Sequence, residues 1–197
     1  VIEIMLQVEF RAMGCQMAVL LDNEDGPAVK ALQEVPGWFE EWEQVLSRFR
    51  PDSSLSLLNE SAGTSVRVHP VLWEVITVAL DAARWTGGLV VPTGLNSLVR
   101  AGYDRSFELL QAASKLQTPF HRTAAPGAAV QSMVPFETIR LDRHEFTITL
   151  PIGMKLDLGG IGKGWAAWET MQRLQKYGPV LIDAGGDIAV RDVRANG

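Results

Sequence analysis

The sequence predicts an α+β fold in which helices pack against a mixed or mostly antiparallel sheet. Pairs of short segments alternate apolar and polar residues on either side of a turn, as antiparallel hairpins do. Longer segments between them carry apolar residues at helical spacing. With 197 residues, the chain is long enough for one sizeable core. We therefore expect a single domain over residues 1–197.

Two hairpins are predicted from alternation. Residues 1–10 and 17–21 form the first, with the sequence Arg-Ala-Met-Gly-Cys at its tip. Residues 137–141 and 145–150 form the second, and its turn places His144 in solvent. Further along, residues 179–190 predict a buried strand interrupted by two glycines. The flanking carboxylates of that strand, Asp183 and Asp187, either hold a cation or a ribose or cap the turn.

Two helical segments follow from the spacing of apolar residues. The first begins at Gly26, and its apolar face holds Trp38, Phe39, Trp42, Val45, Leu46 and Phe49. Pro36 interrupts the pattern, which favours a kink or two short helices over one continuous rod. The second runs from residue 71 to a stop at Thr86. It is apolar nearly all round, as expected for a helix buried against a sheet. Residues 89–97 have no clear period and predict an irregular loop.

Composition narrows the possible partners. The net charge is −5, and no Lys/Arg cluster occurs, which argues against a nucleic-acid surface and favours a small molecule or a protein. No apolar run is long enough to cross a bilayer. Cys15 is the only cysteine, so no internal disulfide forms. The three histidines lack the spacing of zinc ligands. One of them, His121, lies in residues 113–134, which are rich in Ala, Thr, Ser and Pro and predict a long surface excursion.

A glycine-rich stretch at residues 155–165 predicts a strand, a tight turn and then a helix over residues 165–177. Glycines at 159, 160, 162 and 164 surround Lys163. Such a turn lets the backbone approach a ligand, and the free N–H groups of a helix start favour an anion. The alternative is a close crossing of strand and helix with a solvated lysine. The stretch lacks the spacing of the common nucleotide fingerprints.

After the first predicted helix, Arg48 and Arg50 either contact an anion or are solvated.

Five stretches, taken in order, resemble the FAD:protein FMN transferase family, the ApbE-type flavin transferases. They are residues 10–14 (Phe-Arg-Ala-Met-Gly), 46–55 (Leu-Ser-Arg-Phe-Arg-Pro-Asp-Ser-Ser-Leu) with 58–59 (Leu-Asn), 87–93 (Gly-Gly through Pro-Thr), 156–164 (Leu-Asp-Leu-Gly-Gly-Ile-Gly-Lys-Gly) and 184–188 (Ala-Gly-Gly-Asp-Ile). The resemblance covers almost the whole chain and implies a T-fold-like α+β architecture.

The resemblance implies a function as well as a fold. In this bacterial family Mg²⁺ helps to split FAD, and FMN is joined to a threonine of an acceptor protein, typically a membrane respiratory subunit, with release of AMP. Such proteins are commonly anchored in the cell envelope. Because residue 1 is not Met, a signal or anchor could have been removed, although a cytoplasmic location is also open.

The resemblance also implies site residues. Those expected to contact FAD are Met13, Phe49, Leu89, Val90, Val91, Asp157 and Lys163, and the backbone carbonyl of Gly160 is expected to face Mg²⁺. Val90 and Val91 stand where the family has Phe-Asp, and the family's later segment with its Asp and Thr metal ligands is missing from residues 1–197, as expected either of a piece of a longer protein or of a homologue that has lost transfer activity. Two alternatives therefore stay open. One is hydrolysis of FAD to FMN and AMP, and the other is FAD binding without catalysis.

Overall fold

The computed structural model of the chain describes residues 5–105 and 135–191. These residues confirm the α+β class. The elements in chain order are β1 (Leu6–Ala12), β2 (Cys15–Leu21), α1 (Gly26–Leu46), α2 (Ser54–Glu60), β3 (Ser65–Arg67), α3 (Pro70–Trp85), a 3-10 turn (Pro92–Gly94), α4 (Leu95–Arg100), a second 3-10 turn (Phe136–Thr138), β4 (Arg140–Asp142), β5 (Thr147–Thr149), α5 (Gly162–Leu174), β6 (Val180–Ala184) and β7 (Asp187–Arg191).

The chain divides into two compact units. The first unit comprises residues 1–43 and 161–197, and the second comprises residues 44–160. The prediction of a single domain over residues 1–197 stays a prediction. The predicted excursion at residues 113–134, with His121, lies outside the described residues.

A four-stranded antiparallel sheet forms the first unit, with strand order β1-β2-β6-β7. One face of β2 and β6 supplies the core, because alternate residues such as Met17, Val19 and Ile182 are fully buried. Helix α5 packs on β6 and β7. The rings of Phe10, Phe39, Trp42 and Trp165 make successive edge-on contacts with centroids 5.1, 5.2 and 5.3 Å apart. These contacts join β1, α1 and α5 around one aromatic core.

Helix α1 runs without interruption through Pro36, so the prediction of two short helices was wrong. Proline removes one backbone donor, which is a local loss. Burial on either side opposes it, because Val35 and Phe39 are both fully buried on the same face of the helix. Packing of this apolar face therefore outweighs the breaking tendency of the proline.

In the second unit, a three-stranded antiparallel sheet has the order β3-β5-β4. It confirms the predicted hairpin, and His144 is exposed in its turn as expected. Asp142 closes the turn by accepting hydrogen bonds from the backbone N–H groups of His144 and Glu145 at 2.9 and 3.2 Å. The turn contains no glycine, and Phe146 at its end has a left-handed backbone with φ of 51°.

Helix α3 buries one face, although its sequence is apolar nearly all round. Leu72, Ile76 and Ala83 are buried, whereas Val78 and Trp85 are 41% and 86% exposed. The predicted loop at residues 89–97 is also partly wrong, because Pro92–Gly94 forms a 3-10 turn and α4 starts at Leu95. Proline at the start of a helical turn presets the required backbone angle. None of the helices within residues 5–105 and 135–191 has the length and apolarity needed to cross a bilayer.

Candidate functional site

Arg48 and Asp157 form a buried ion pair in the second unit. The Arg48 Nε atom lies 2.5 Å from Oδ2 of Asp157, and the two side chains are only 7% and 15% exposed. Arg48 also donates from Nη2 to the backbone carbonyl of Tyr103 at 3.0 Å. Charges this little exposed must be paired to be tolerated. Of the two alternatives for Arg48, the solvated one was therefore wrong, and the anionic group that Arg48 contacts in this structure is the Asp157 carboxylate.

Two aromatic rings enclose the same guanidinium group. Its central carbon lies 4.1 Å from the centroid of the Phe49 ring and 4.5 Å from that of Tyr103. The two rings are 5.9 Å apart and inclined at 68°. A planar, weakly hydrated guanidinium stacks well on aromatic faces. Phe49, predicted to line an FAD site, keeps 41% of its surface exposed while it packs on Arg48.

The turn that carries Arg48 and Phe49 is fixed by Ser53. This fully buried serine accepts a hydrogen bond from the backbone N–H of Ser56 at 3.0 Å and so caps the start of α2. Its hydroxyl donates to the carbonyl of Ser47 at 2.5 Å. The serine therefore ties the end of α1 to the start of α2, and the two residues between Ser47 and Arg50 take a defined position.

The segment that carries Asp157 is not a strand, so this part of the predicted strand, turn and helix was wrong. Leu156 instead pairs with the buried side chain of Asn59, which donates to its carbonyl at 2.9 Å and accepts from its N–H at 2.7 Å. The N–H of Asp157 donates to the carbonyl of Pro92 at 2.8 Å. An asparagine amide thus replaces a neighbouring strand, because its two polar ends match one residue's backbone groups.

The Asp157 carboxylate uses both of its oxygens. Oδ2 faces Arg48, and Oδ1 accepts the backbone N–H of Gly159 at 2.8 Å. A side chain bonded to the backbone two residues later stabilises a turn. The carboxylate therefore shapes the first part of the glycine-rich stretch.

Residues 89–91 lead directly to this segment. Leu89 is 89% exposed and Val90 is 39% exposed. The N–H of Val90 donates to the Thr86 hydroxyl at 3.1 Å, just past the end of α3. Val91 precedes Pro92, whose carbonyl accepts the Asp157 N–H. The second unit thus brings together Val91 and Asp157 through Pro92, and Phe49 and Asp157 through Arg48.

Met13 lies at the tip of the β1–β2 hairpin in the first unit. Ala12 pairs with Cys15, so Met13 and Gly14 form a two-residue loop. Both have left-handed backbones, with φ of 49° and 73°, as this type of hairpin turn requires. The Met13 N–H donates to the Glu43 carboxylate at 2.8 Å. The Met13 side chain is half-buried, unlike that of Met17 two residues into the strand, which is fully buried.

The glycine turn ends in α5, which begins at Gly162 rather than at the predicted residue 165. Ile161 precedes the helix without a side-chain cap, so the N–H groups of the first turn are available as donors to an anion. Lys163 lies in that first turn and is half-buried. Side chains built at Gly162 or Gly164 would meet no atom within 4 Å in the part of the chain that the structure describes. These glycines are therefore not required by a close strand–helix crossing.

Gly160, the predicted source of a carbonyl facing Mg²⁺, is exposed at the end of the second unit. Within residues 5–105 and 135–191 no group of three His, Cys, Asp or Glu side chains is placed to hold a metal ion. Mg²⁺ prefers several oxygen ligands in near-octahedral geometry. A set made of three acidic side chains is not present among the described residues.

The β6–β7 hairpin replaces the single interrupted strand predicted for residues 179–190. Asp183 accepts the N–H of Gly186 at 2.7 Å, so it caps the turn, as one of the two predicted alternatives required. Asp187 is exposed at the start of β7. A Cβ atom at Gly185 would lie 2.6 Å from the Cβ atom of Cys15 on the neighbouring strand, whereas one at Gly186 would meet no atom within 4 Å among the described residues.

Three contacts of this site were not predicted from the sequence. Tyr103 follows a glycine in a stretch without periodicity, and no pattern marks it. Glu43 lies on the helix that holds the predicted apolar face, and no sequence pattern indicates its contact with Met13. Asn59 does stand in one of the stretches that resemble the flavin transferases, which is the one signal that was present.

Comparison with known proteins identifies the family. The sequence model described as the ApbE family matches residues 13–197. The chain belongs to the ApbE family. A curated relative, the FAD:protein FMN transferase of Treponema pallidum (strain Nichols), is 31% identical over 185 residues, which cover 88% of this chain and 48% of that protein. The chain thus spans about half the length of this ApbE relative.

Solved structures agree on the fold. The ApbE protein of Thermotoga maritima superposes with a TM-score of 0.74 at 18% identity, covering 95% of this chain and 59% of that one. The apo form of the Pseudomonas stutzeri flavinyl transferase ApbE gives 0.73 at 19% identity, covering 95% and 56%. The flavin transferase ApbE of Vibrio cholerae gives 0.69 at 18% identity, covering 98% and 62%. At these identities the likeness shows the ApbE fold alone.

Proposed function

We propose that this chain binds FAD and serves in the transfer of FMN from FAD to a threonine of an acceptor protein. The observation that carries the proposal is the family match over residues 13–197, which includes every predicted site residue. The relative from Treponema pallidum bears the name of this activity. As the sequence resemblance implies, the acceptor is a protein such as a membrane respiratory subunit.

The reaction is a phosphoryl transfer to an alcohol. The threonine oxygen forms a bond to the phosphorus next to the riboflavin half of FAD. The bond from this phosphorus to the bridging oxygen breaks, AMP leaves with that oxygen, and the threonine proton passes to solvent. No electrons are exchanged with the flavin ring. Such reactions depend mainly on positioning and on stabilisation of negative charge.

Residues of the second unit suit the aromatic part of FAD. The exposed parts of Phe49, Leu89 and Val90 offer apolar surface, and the Arg48–Asp157 pair holds the Phe49 ring from one side. A planar ring system gains most from a partner that is already fixed, because less side-chain freedom is lost on binding. We therefore assign Phe49, Leu89, Val90, Val91 and Asp157 to FAD binding.

In the first unit, the residues around Lys163 suit a phosphate. The uncapped first turn of α5 offers backbone donors, and Lys163 adds a positive charge. The glycines at 162 and 164 leave space that a Cβ atom would fill. These features are the ones that anion sites at helix starts share. We assign Lys163 to the pyrophosphate of FAD and, at the hairpin tip, Met13 to the flavin.

The family resemblance implies Mg²⁺ facing the Gly160 carbonyl, whereas within residues 5–105 and 135–191 no group of three His, Cys, Asp or Glu side chains is placed to hold the ion. We derive no step through the metal. When bound, it would supply charge neutralisation at the pyrophosphate.

One experiment separates transfer from the two alternatives. The 197-residue chain is incubated with FAD and a threonine-bearing acceptor peptide, with Mg²⁺ or with a chelator, and the products are identified by mass spectrometry. Transfer gives a flavinylated peptide and AMP, hydrolysis gives free FMN and AMP, and FAD binding without catalysis leaves FAD unchanged. An acceptor peptide with serine or alanine in place of threonine is the matched control. Flavinylation of the alanine peptide would contradict the proposed acceptor chemistry.

A further inference from the structure

We infer that Arg48 is a positioning residue of the FAD site, which holds Asp157 and the Phe49 ring in the geometry that FAD requires. The inference rests on the proposed function. Neither the composition nor the family resemblance assigned this role to Arg48. Among the described residues its partners include the Asp157 carboxylate, the Tyr103 carbonyl, and the rings of Phe49 and Tyr103.

Arg48 connects segments that are far apart in sequence. Tyr103 lies 55 positions beyond it, and Asp157 lies in the segment that Asn59 and the Pro92 carbonyl hold. The side chain thus joins the end of α1, the end of α4 and the start of the glycine-rich stretch. Because these partners of Arg48 come from separate segments of the second unit, its removal frees several parts of the site together.

The chemistry of these contacts requires an arginine. The guanidinium presents Nε to a carboxylate and Nη2 to a carbonyl, while its flat face stacks on two rings. A lysine carries the charge but has neither the plane nor the fixed fork of donors. Arg48→Lys should therefore retain the attraction to Asp157 and lose the stacking, which separates the two contributions.

Burial explains why Asp157 needs this partner. Its side chain is 15% exposed, and a carboxylate with so little contact with water is stable only when paired. Without Arg48, the carboxylate would turn towards solvent, and its hydrogen bond to the Gly159 N–H would be lost. The effect of removing Arg48 on FAD binding should thus depend on the presence of the Asp157 charge.

The test combines four variants of the 197-residue chain. They are Arg48→Ala, Arg48→Lys, Asp157→Asn and the double variant Arg48→Ala/Asp157→Asn. Arg84→Ala is the matched control. It removes an arginine from an ion pair in the same unit, but there the side chains of Arg84 and Asp81 are 54% and 42% exposed. FAD affinity is titrated by quenching of flavin fluorescence. Stability is followed by urea denaturation, and amide hydrogen exchange reports on residues 155–160 in the absence of FAD.

We expect Arg48→Ala to weaken FAD binding by about tenfold or more, as loss of a charge-assisted contact does. Arg48→Lys should recover part of the loss. The double variant should bind no worse than the weaker single variant, because the two side chains act as one pair. Exchange at Gly159 should become faster in Arg48→Ala and stay unchanged in Arg84→Ala.

The inference is overturned if Arg48→Ala folds and binds FAD within about twofold of the wild type, or if the single effects add fully in the double variant. If Arg48→Ala does not fold, Arg48→Lys and Asp157→Asn decide by the same criteria. If the wild-type chain does not bind FAD, the proposed function fails. The rate of amide hydrogen exchange at Gly159 then decides separately whether Arg48 positions the Asp157 segment.

Discussion

The two units hold their predicted site residues in different ways. In the second unit, side chains position side chains, since Arg48 and Asn59 fix the segment of Asp157 through buried polar contacts. In the first unit, backbone conformation positions Met13 and Lys163, one in a left-handed hairpin turn and the other in the first turn of α5. Substitutions in the second unit should therefore affect stability and binding together, whereas those in the first unit should affect binding more selectively.

The largest effect that would sharpen this comparison is expected for Asn59→Ala in the second unit. The substitution leaves the buried N–H and carbonyl of Leu156 without their partner. At about 1–3 kcal/mol for each unsatisfied group, the free energy of unfolding should fall by about 2–6 kcal/mol. Urea denaturation measures this loss, and FAD affinity should fall with it.

Asn96→Ala is the matched control for Asn59. Asn96 also donates to a backbone carbonyl, that of Gly153 at 2.9 Å, but in an exposed setting. Water replaces an exposed hydrogen bond, so the free energy of unfolding should change by less than about 0.5 kcal/mol. Equal losses for the two variants would show that the buried pairing of Asn59 has no special role.

The next effect concerns binding in the first unit. Lys163→Ala should weaken FAD binding by about 1.5–3 kcal/mol, because it removes a charge-assisted hydrogen bond to phosphate. That corresponds to roughly 10- to 150-fold in affinity. Titration by fluorescence quenching measures it, and stability should stay nearly constant.

Lys30→Ala provides the control for Lys163. It removes the same charge from an exposed position on α1 in the same unit. A loss of affinity equal to that of Lys163→Ala would indicate a general electrostatic effect rather than a contact. Affinity unchanged within about twofold in Lys163→Ala itself would show that Lys163 is only a solvated helix residue.

A smaller and more selective effect is expected at the hairpin tip. If Met13 contacts the flavin, Met13→Ala should lower FAD affinity and change stability far less than the roughly 2–5 kcal/mol typical of a buried methionine. Met17→Ala, at a fully buried position of the same hairpin, should show the full loss of stability. Thermal denaturation measures the stability of both variants, and FAD titration measures their affinity. A large loss of stability in Met13→Ala with unaltered binding would assign Met13 to the core instead.

These differences between the units also explain what could be predicted from the sequence. Hairpins such as β1–β2 and β4–β5 were predictable, because alternation and turn residues are local signals. The continuous α1 was not, because burial of Val35 and Phe39, a tertiary effect, outweighs the local effect of Pro36. The contacts of Arg48 could not be predicted from the sequence either. Its partners Tyr103 and Asp157 lie far along the chain, and no spacing in the sequence reports a contact of that kind.

The smallest free energy that we predict is that of Mg²⁺ binding to residues 1–197. One carbonyl, that of Gly160, cannot compete with water for so strongly hydrated an ion. The carboxylates of Asp157 and Asp183 have other partners, since Asp157 binds Arg48 and Gly159 and Asp183 caps its own turn. We expect a Kd above about 1 mM, or less than about 4.1 kcal/mol of binding free energy. Calorimetric titration of the chain with Mg²⁺, with and without FAD, measures it. Saturable binding below that concentration would contradict the prediction, and an alanine variant of each aspartate would then identify the ligand.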